Sequence, residues 1–145
     1  MALHLQKLCV GCDSPEELRL WIEERMADRR RRGAAEEQVH TTRMAPKRAA
    51  ELLDGGSLYW VIKGVILARQ PLKDLRPVKG DDGIERCEIV MAPDLVAVRP
   101  TPRRPFQGWR YLPGHEAPPD VVDDERLAPG LPAHLIAELQ TLGLL

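Results

Sequence analysis

Cysteine is scarce and odd in number: three thiols in 145 residues are too few for a disulfide framework, which excludes the stapled secreted scaffolds and points to a reducing compartment. No run approaches the roughly 18 apolar residues that a membrane-spanning helix requires. The N-terminal MALHLQKLCVG lacks the charged, apolar and small-residue order of a signal peptide. These absences predict a cytoplasmic protein with free thiols and no membrane partner. Also missing are the motifs that announce chemistry, since there is no G-x-S-x-G, phosphate loop, H-E-x-x-H, RNP, GXXG or second C-x-x-C. No repeat of fixed period is present, and neither a cofactor nor an oligomeric state is implied.

The length fits one domain, residues 1–145, with one sizeable core. A hydrophobic content of 43% and a charged content of 30% suit a soluble globular chain, and 13 prolines predict many irregular connections. The net charge of −1 conceals an asymmetry. Residues 43–110 hold 13 Lys or Arg against 8 Asp or Glu, while residues 111–145 hold 1 against 6. A basic middle suits an anionic partner, and the acidic tail would shield or pair with it. Solvated surface of both signs explains the same numbers equally well.

The longest apolar run, residues 58–68, is interrupted only by Lys63 and Gly64. With no turn-length break it predicts one long bent strand with Gly64 at a bulge. Before it, Pro46 and Gly55 bracket a short helix, KRAAELLD, with Ala49, Ala50 and Leu53 facing inward. The opening LHLQKLCV predicts a strand buried on both faces near its end. In DSPEELRLWIEERM, Ser14, Pro15 and Glu17 make a capping box, and Leu18, Trp21, Ile22 and Met26 form one apolar stripe, so a helix runs to Gly33. A short strand is expected at about 39–43, GDDG at 80–83 predicts a reversal, and strands follow at 86–91 and 95–99. Residues 100–119 are proline-rich and predict extended backbone laid over the surface. Pro132, Leu135, Ile136, Leu139 and Leu142 predict a final amphipathic helix over about 132–142. Few, peripheral helices with short central strands predict an α+β fold: a small, curled, mostly antiparallel sheet or a partly open pseudo-barrel.

Three stretches, KLCVGCDSPEEL, RMAPKRAAELLDGGSLYWVIKGVILARQPL and RRPFQGWRYL, resemble the bacterial family catalogued as domain of unknown function 1489, across nearly the whole chain. More loosely, the helix followed by G-S-L-Y-W and V-I-L-A-R is similar to PUA-like domains of the ASCH and EVE type. That similarity implies a PUA-like pseudo-barrel and RNA or modified-base binding. It also implies a possible small hydrolase acting on a nucleoside or amide, for which Lys63, Thr41 or Thr42, and Glu88 are the matching residue types.

Composition supplies the candidates for nucleic-acid binding: Arg43, Lys47, Arg48, Lys63, Arg69, Arg103, Arg104 and Arg110, interleaved with Tyr59, Trp60, Phe106, Trp109 and Tyr111. Cations suit phosphates, and flat aromatic faces suit unpaired bases. The aromatics serve equally as core anchors. Cys9 and Cys12 form the sharpest local pattern, half a zinc site if His4, His40 or Cys87 complete it, a redox pair, or buried structural thiols. A zinc-stabilised or protein-interaction module is the corresponding third expectation. Lys63 inside an apolar run would have its pKa lowered if buried, and would otherwise extend its stem to water. His115 and His134 belong to no motif.

Overall fold

Lys63 and Gly64 are a two-residue turn, not a bulge, and the apolar run around them folds back on itself. In the computed structural model, which describes residues 2–104 and 106–121, β3 (Ser57–Ile62) and β4 (Val65–Lys79) form an antiparallel hairpin from Ile62↔Val65 to Ser57↔Pro71. Lys63 has φ 51° and Gly64 φ 80°, the pair of positive values that matches hairpin twist. The single-strand expectation fails because lysine at the first turn position gives no glycine or asparagine signal.

β4 is long enough to serve three neighbours. Its first half also pairs with β6 (Val96–Pro102), and its second half with β5 (Glu85–Met91), after the predicted reversal at 80–83. Pro71 falls between the last β6 pair, Arg69↔Val96, and the first β5 pair, Leu72↔Met91. A missing N–H there removes no bond on that edge. β1 (Leu3–Leu8) lies parallel to β3 and antiparallel to β7 (Trp109–Pro113), and β2 (Gln38–Thr42) pairs with β5. The order is β2-β5-β4-β3-β1-β7, with β6 beside β4 off this path, a seven-stranded, mostly antiparallel sheet. The end strands do not meet, so the fold is the α+β curled sheet expected, without closure into a barrel.

One face of the sheet carries the main core. α1 (Pro15–Arg31) places Leu18, Ile22 and Met26, and α2 (Ala49–Leu53) places Leu52, against Leu3, Leu5, Leu58, Trp60 and Ile62. Period-two alternation sends Tyr59, Val61, Ile66, Val98 and Leu112 to the opposite face, where Leu8, Phe106 and Ala117 cover them. At the start of α1 the Ser14 hydroxyl accepts from Glu17 N–H (3.2 Å), while the Glu17 carboxylate accepts from Asp13 N–H (2.6 Å), one residue earlier than in a regular box.

Three local expectations change. β1 is buried at its start, not its end: Leu5 is fully buried and Val10 is 82% exposed. α2 turns Leu52 inward and leaves Ala50 and Leu53 exposed, because a five-residue helix presents one turn and the sheet selects its face. Within the proline-rich segment, Trp109–Pro113 is a ladder strand. β1 offers an outer edge there, and no proline precedes Pro113 inside it. The helix expected at 132–142 lies outside the described residues, and no described helix is long and apolar enough to cross a membrane.

Candidate nucleic-acid interface

Two basic stretches that are about sixty residues apart in sequence meet at the β7 edge. β7 alternates, so Trp109 and Tyr111 point to the helix side while Leu112 joins the opposite cluster. The Trp109 indole N–H donates to Met44 O (2.6 Å), and the Tyr111 hydroxyl accepts from the Lys47 and Arg48 N–H groups (2.9 and 3.3 Å). The two rings meet edge to face at 4.9 Å, and the Arg48 guanidinium lies 5.7 Å over Tyr111. The 43–48 loop is thereby fastened to β7. On the far side of the strand Arg110 stacks over Phe106 at 5.4 Å, Arg103 Nε donates to Gln6 Oε1 (3.2 Å), and Arg103 N–H donates to Gly64 O (2.8 Å).

Charge pairing separates the cations. Arg48 is neutralised by Glu51, Arg69 by Asp120, Arg76 by Glu37 and Asp74, and Arg86 by Asp82. Arg43, Lys47, Arg104 and Arg110 are exposed and have no carboxylate partner among the described residues. Arg43 also lines a cleft of about 350 Å³ with Lys79, Glu85 and Arg86.

Other predicted site residues lie elsewhere. Arg69 is committed to structure: its guanidinium holds both Asp120 oxygens at 2.8 Å and donates to Ser57 Oγ at 2.9 Å. Lys63 stands in the exposed turn with its ammonium 3.8 Å from Asp13. Thr41 lies opposite Glu88 and Thr42 opposite Cys87 in the β2–β5 pair. The hydrolase set Lys63, Thr41 or Thr42, and Glu88 is therefore divided between the hairpin turn and another ladder. Tyr59, Trp60 and Trp109 are buried and present no ring to a base. The cleft lined by Arg43 contains none of Lys63, Arg103 and Trp109.

The C-x-x-C pair is part of the core. Cys12 Sγ donates to Ser14 O (3.1 Å), and Cys9, half-buried beside it, is pushed well above the usual thiol range by burial and then by its contact with Cys12. A thiol held protonated is a poor nucleophile. Among the described residues no three His, Cys, Asp or Glu side chains group to hold a metal, and Cys87 is buried between Thr42 and Pro77 in the β2-β5-β4 region.

Sequence spacing gave no hint of a polar network on the smaller face. His4 Nδ1 accepts from the buried Ser57 N–H (3.0 Å), Ser57 Oγ accepts from Arg69, and Arg69 clasps Asp120. Burial, then Arg69, lowers the His4 pKa, so the imidazole is a neutral acceptor. Asp120 closes the arrangement: Val98↔Asp120, Arg99 N–H to Pro119 O (3.0 Å) and Val121 N–H to Ala97 O (2.9 Å) lay residues 119–121 on β6. Arg69 holds the Asp120 pKa below its ordinary value. A depressed carboxylate stabilises the fold above its unfolded pKa, and that contribution is lost as pH falls through the folded value. Asp120 is half exposed, so solvent screening limits the effect. Asp120→Asn is expected to cost about 1 kcal/mol at pH 7 and less at a pH below the ordinary carboxylate range, as measured by urea unfolding at both pH values. An equal cost at both would show that the ion pair is not the source.

A bent, open, mostly antiparallel sheet with two helices against it defines an α+β protein. The chain belongs to the family described as protein of unknown function (DUF1489), whose model matches residues 5–145. No curated protein and no solved structure matches it.

Proposed function

We propose that this protein binds RNA through the β7 edge, with Arg43, Lys47, Arg104 and Arg110 contacting phosphates. One observation carries the reading. Trp109 and Tyr111 spend their polar atoms fixing the 43–48 loop, which ties the segment carrying Arg43 and Lys47 to the strand carrying Arg110, and none of the three has a described carboxylate partner. Arg69, Arg76 and Arg86 are held in ion pairs, whereas these four have no described carboxylate partner. The likeness of the GSLYW and VILAR strands to PUA-like domains implies the same class of partner. Because the large rings are buried or covered by arginine, binding rests on phosphates and not on stacked bases. Phosphate contacts position a strand and carry little sequence information.

Fluorescence polarisation with a labelled single-stranded RNA and an RNA duplex at about 50 mM salt tests this. The Lys47→Ala/Arg110→Ala pair is expected to weaken binding at least tenfold, roughly 1.4 kcal/mol, on every RNA sequence alike. Arg31→Ala, which removes an exposed cation already paired with Asp28, is expected to bind as wild type. Failure of both RNAs to bind the wild-type protein would remove the proposal.

A further inference from the structure

The C-x-x-C pair is the sharpest sequence pattern that the RNA edge leaves unused. β1 ends at Leu8 and α1 begins at Pro15, and the connection between them brings two thiols together. Cys9 is fixed to the end of β3 by its N–H to Val61 O (2.9 Å). Val10 and Gly11 then turn the chain, with Gly11 at φ 83°, a value that glycine adopts without strain. Cys12 follows, its Sγ held 3.1 Å from Ser14 O at the cap of α1. The two side chains are in contact, and both thiols are free. They lie where the core meets solvent. Cys9 is half-buried, Val10 above it is 82% exposed, and Cys12 backs the pair at 4% exposure. An ion that enters at the turn meets Cys9 first and Cys12 behind it.

The number of donors decides which ion fits. Among the described residues no three His, Cys, Asp or Glu side chains group together, and Cys87 lies in β5 between Thr42 and Pro77. Structural zinc is tetrahedral and needs a full set of nitrogen and sulfur ligands. Calcium and magnesium need shells of oxygen. Neither requirement is met by two sulfurs. Monovalent copper is soft, has a filled d shell, and is satisfied by a pair of thiolates in a line. The charge left on such a complex is negative. Lys7 of β1 and Arg25 of α1 act on Cys9 against the one carboxylate of Glu17, so the surroundings favour an anion.

We propose that Cys9 and Cys12 form a two-coordinate site for monovalent copper, each supplying one thiolate sulfur. No electron is transferred: two S–H bonds break, two S–Cu bonds form, two protons leave to solvent, and the complex carries a single negative charge. Burial and the neighbouring sulfur keep the Cys9 thiol protonated only while no cation lies between the sulfurs, since a coordinated thiol loses its proton outright. The site shares no residue with the RNA edge, and neither reading depends on the other.

The reduced full chain is titrated anaerobically with Cu(I) against bathocuproine disulfonate, a chromogenic Cu(I) chelator, and the bound metal is examined by X-ray absorption. About one equivalent is expected to be held, with sulfur neighbours only. Cys9→Ser, at the half-buried position, is expected to lower the affinity about a hundredfold or more. Cys87→Ala, which removes the thiol outside the pair, is expected to bind as wild type, and far-UV circular dichroism checks that each variant is folded. Zn(II) is expected to bind far more weakly than Cu(I). Failure to hold copper against the chelator, wild-type affinity in a folded Cys9→Ser protein, or loss of binding in a folded Cys87→Ala protein would each overturn the site. Zinc held as tightly as copper would overturn the two-coordinate assignment.

Discussion

Gly56→Ala is expected to lower the melting temperature by roughly 10 °C, a loss of about 3 kcal/mol. Gly56 joins α2 to β3 in an ordinary backbone region, so the reason is space and not φ. A Cβ there overlaps the carbonyl oxygens of both Leu52, at the end of α2, and Leu3, in β1. Neither is a flexible side-chain tip. Each oxygen is fixed by its own element, and Gly56 is further held by its N–H to Leu52 O (3.0 Å) and by Leu72 N–H to its own carbonyl (2.9 Å). Relief therefore requires α2 and β1 to separate, which opens the main core at Leu5, Leu52 and Leu58. Differential scanning calorimetry reads the effect, and a melting temperature within about 2 °C of wild type would refute the close packing of these three elements.

Trp60→Ala is expected to cost about 3–5 kcal/mol, and Trp60→Phe about 1–3 kcal/mol. The two numbers isolate different causes. Trp60 is 5% exposed within the main core, so alanine leaves a large cavity. Phenylalanine fills most of it but removes the indole N–H, which donates to Gln70 Oε1 at 2.9 Å. Gln70 is fully buried, and its amide donates onward to Ala92 O at 2.9 Å. This chain ties β3 to β4 and to the segment after β5, at the point where β4 changes partners. With the donor gone, the Gln70 oxygen is stranded in the core. Urea unfolding of both variants checks the pair, and a Phe variant as stable as wild type would show that the hydrogen bond contributes nothing.

The sequence made some of this legible for definite reasons. The capping residues Ser14 and Glu17 and the stripe Leu18, Ile22 and Met26 act locally, so α1 could be read directly. β5 and β6 showed in their β-branched runs, and GDDG marked the β4–β5 reversal. Lys63-Gly64 went unread as a turn because lysine adopts positive φ only when two strands require it. β7 was hidden by the prolines around it, since the demand for that strand comes from the open edge of β1 and not from residues 109–113. The basic candidates were visible as composition, yet their sorting was not. Whether Arg69 is a phosphate ligand or a structural clasp depends on Asp120, fifty-one residues away. Trp109 and Tyr111 of RRPFQGWRYL proved to be organisers of the 43–48 loop, while Phe106 covers the opposite face. Tertiary pairing of charges, not their number, removes Arg48, Arg69, Arg76 and Arg86 from the open cations.

The most direct test of that set is the salt dependence of RNA binding. Four phosphate contacts release counterions from a single strand with a slope of log affinity against log salt of about −2.8, and the Lys47→Ala/Arg110→Ala pair should halve it to about −1.4. A wild-type slope near zero, or one that the paired substitution leaves unchanged, would contradict the assignment of the β7 edge as the RNA surface.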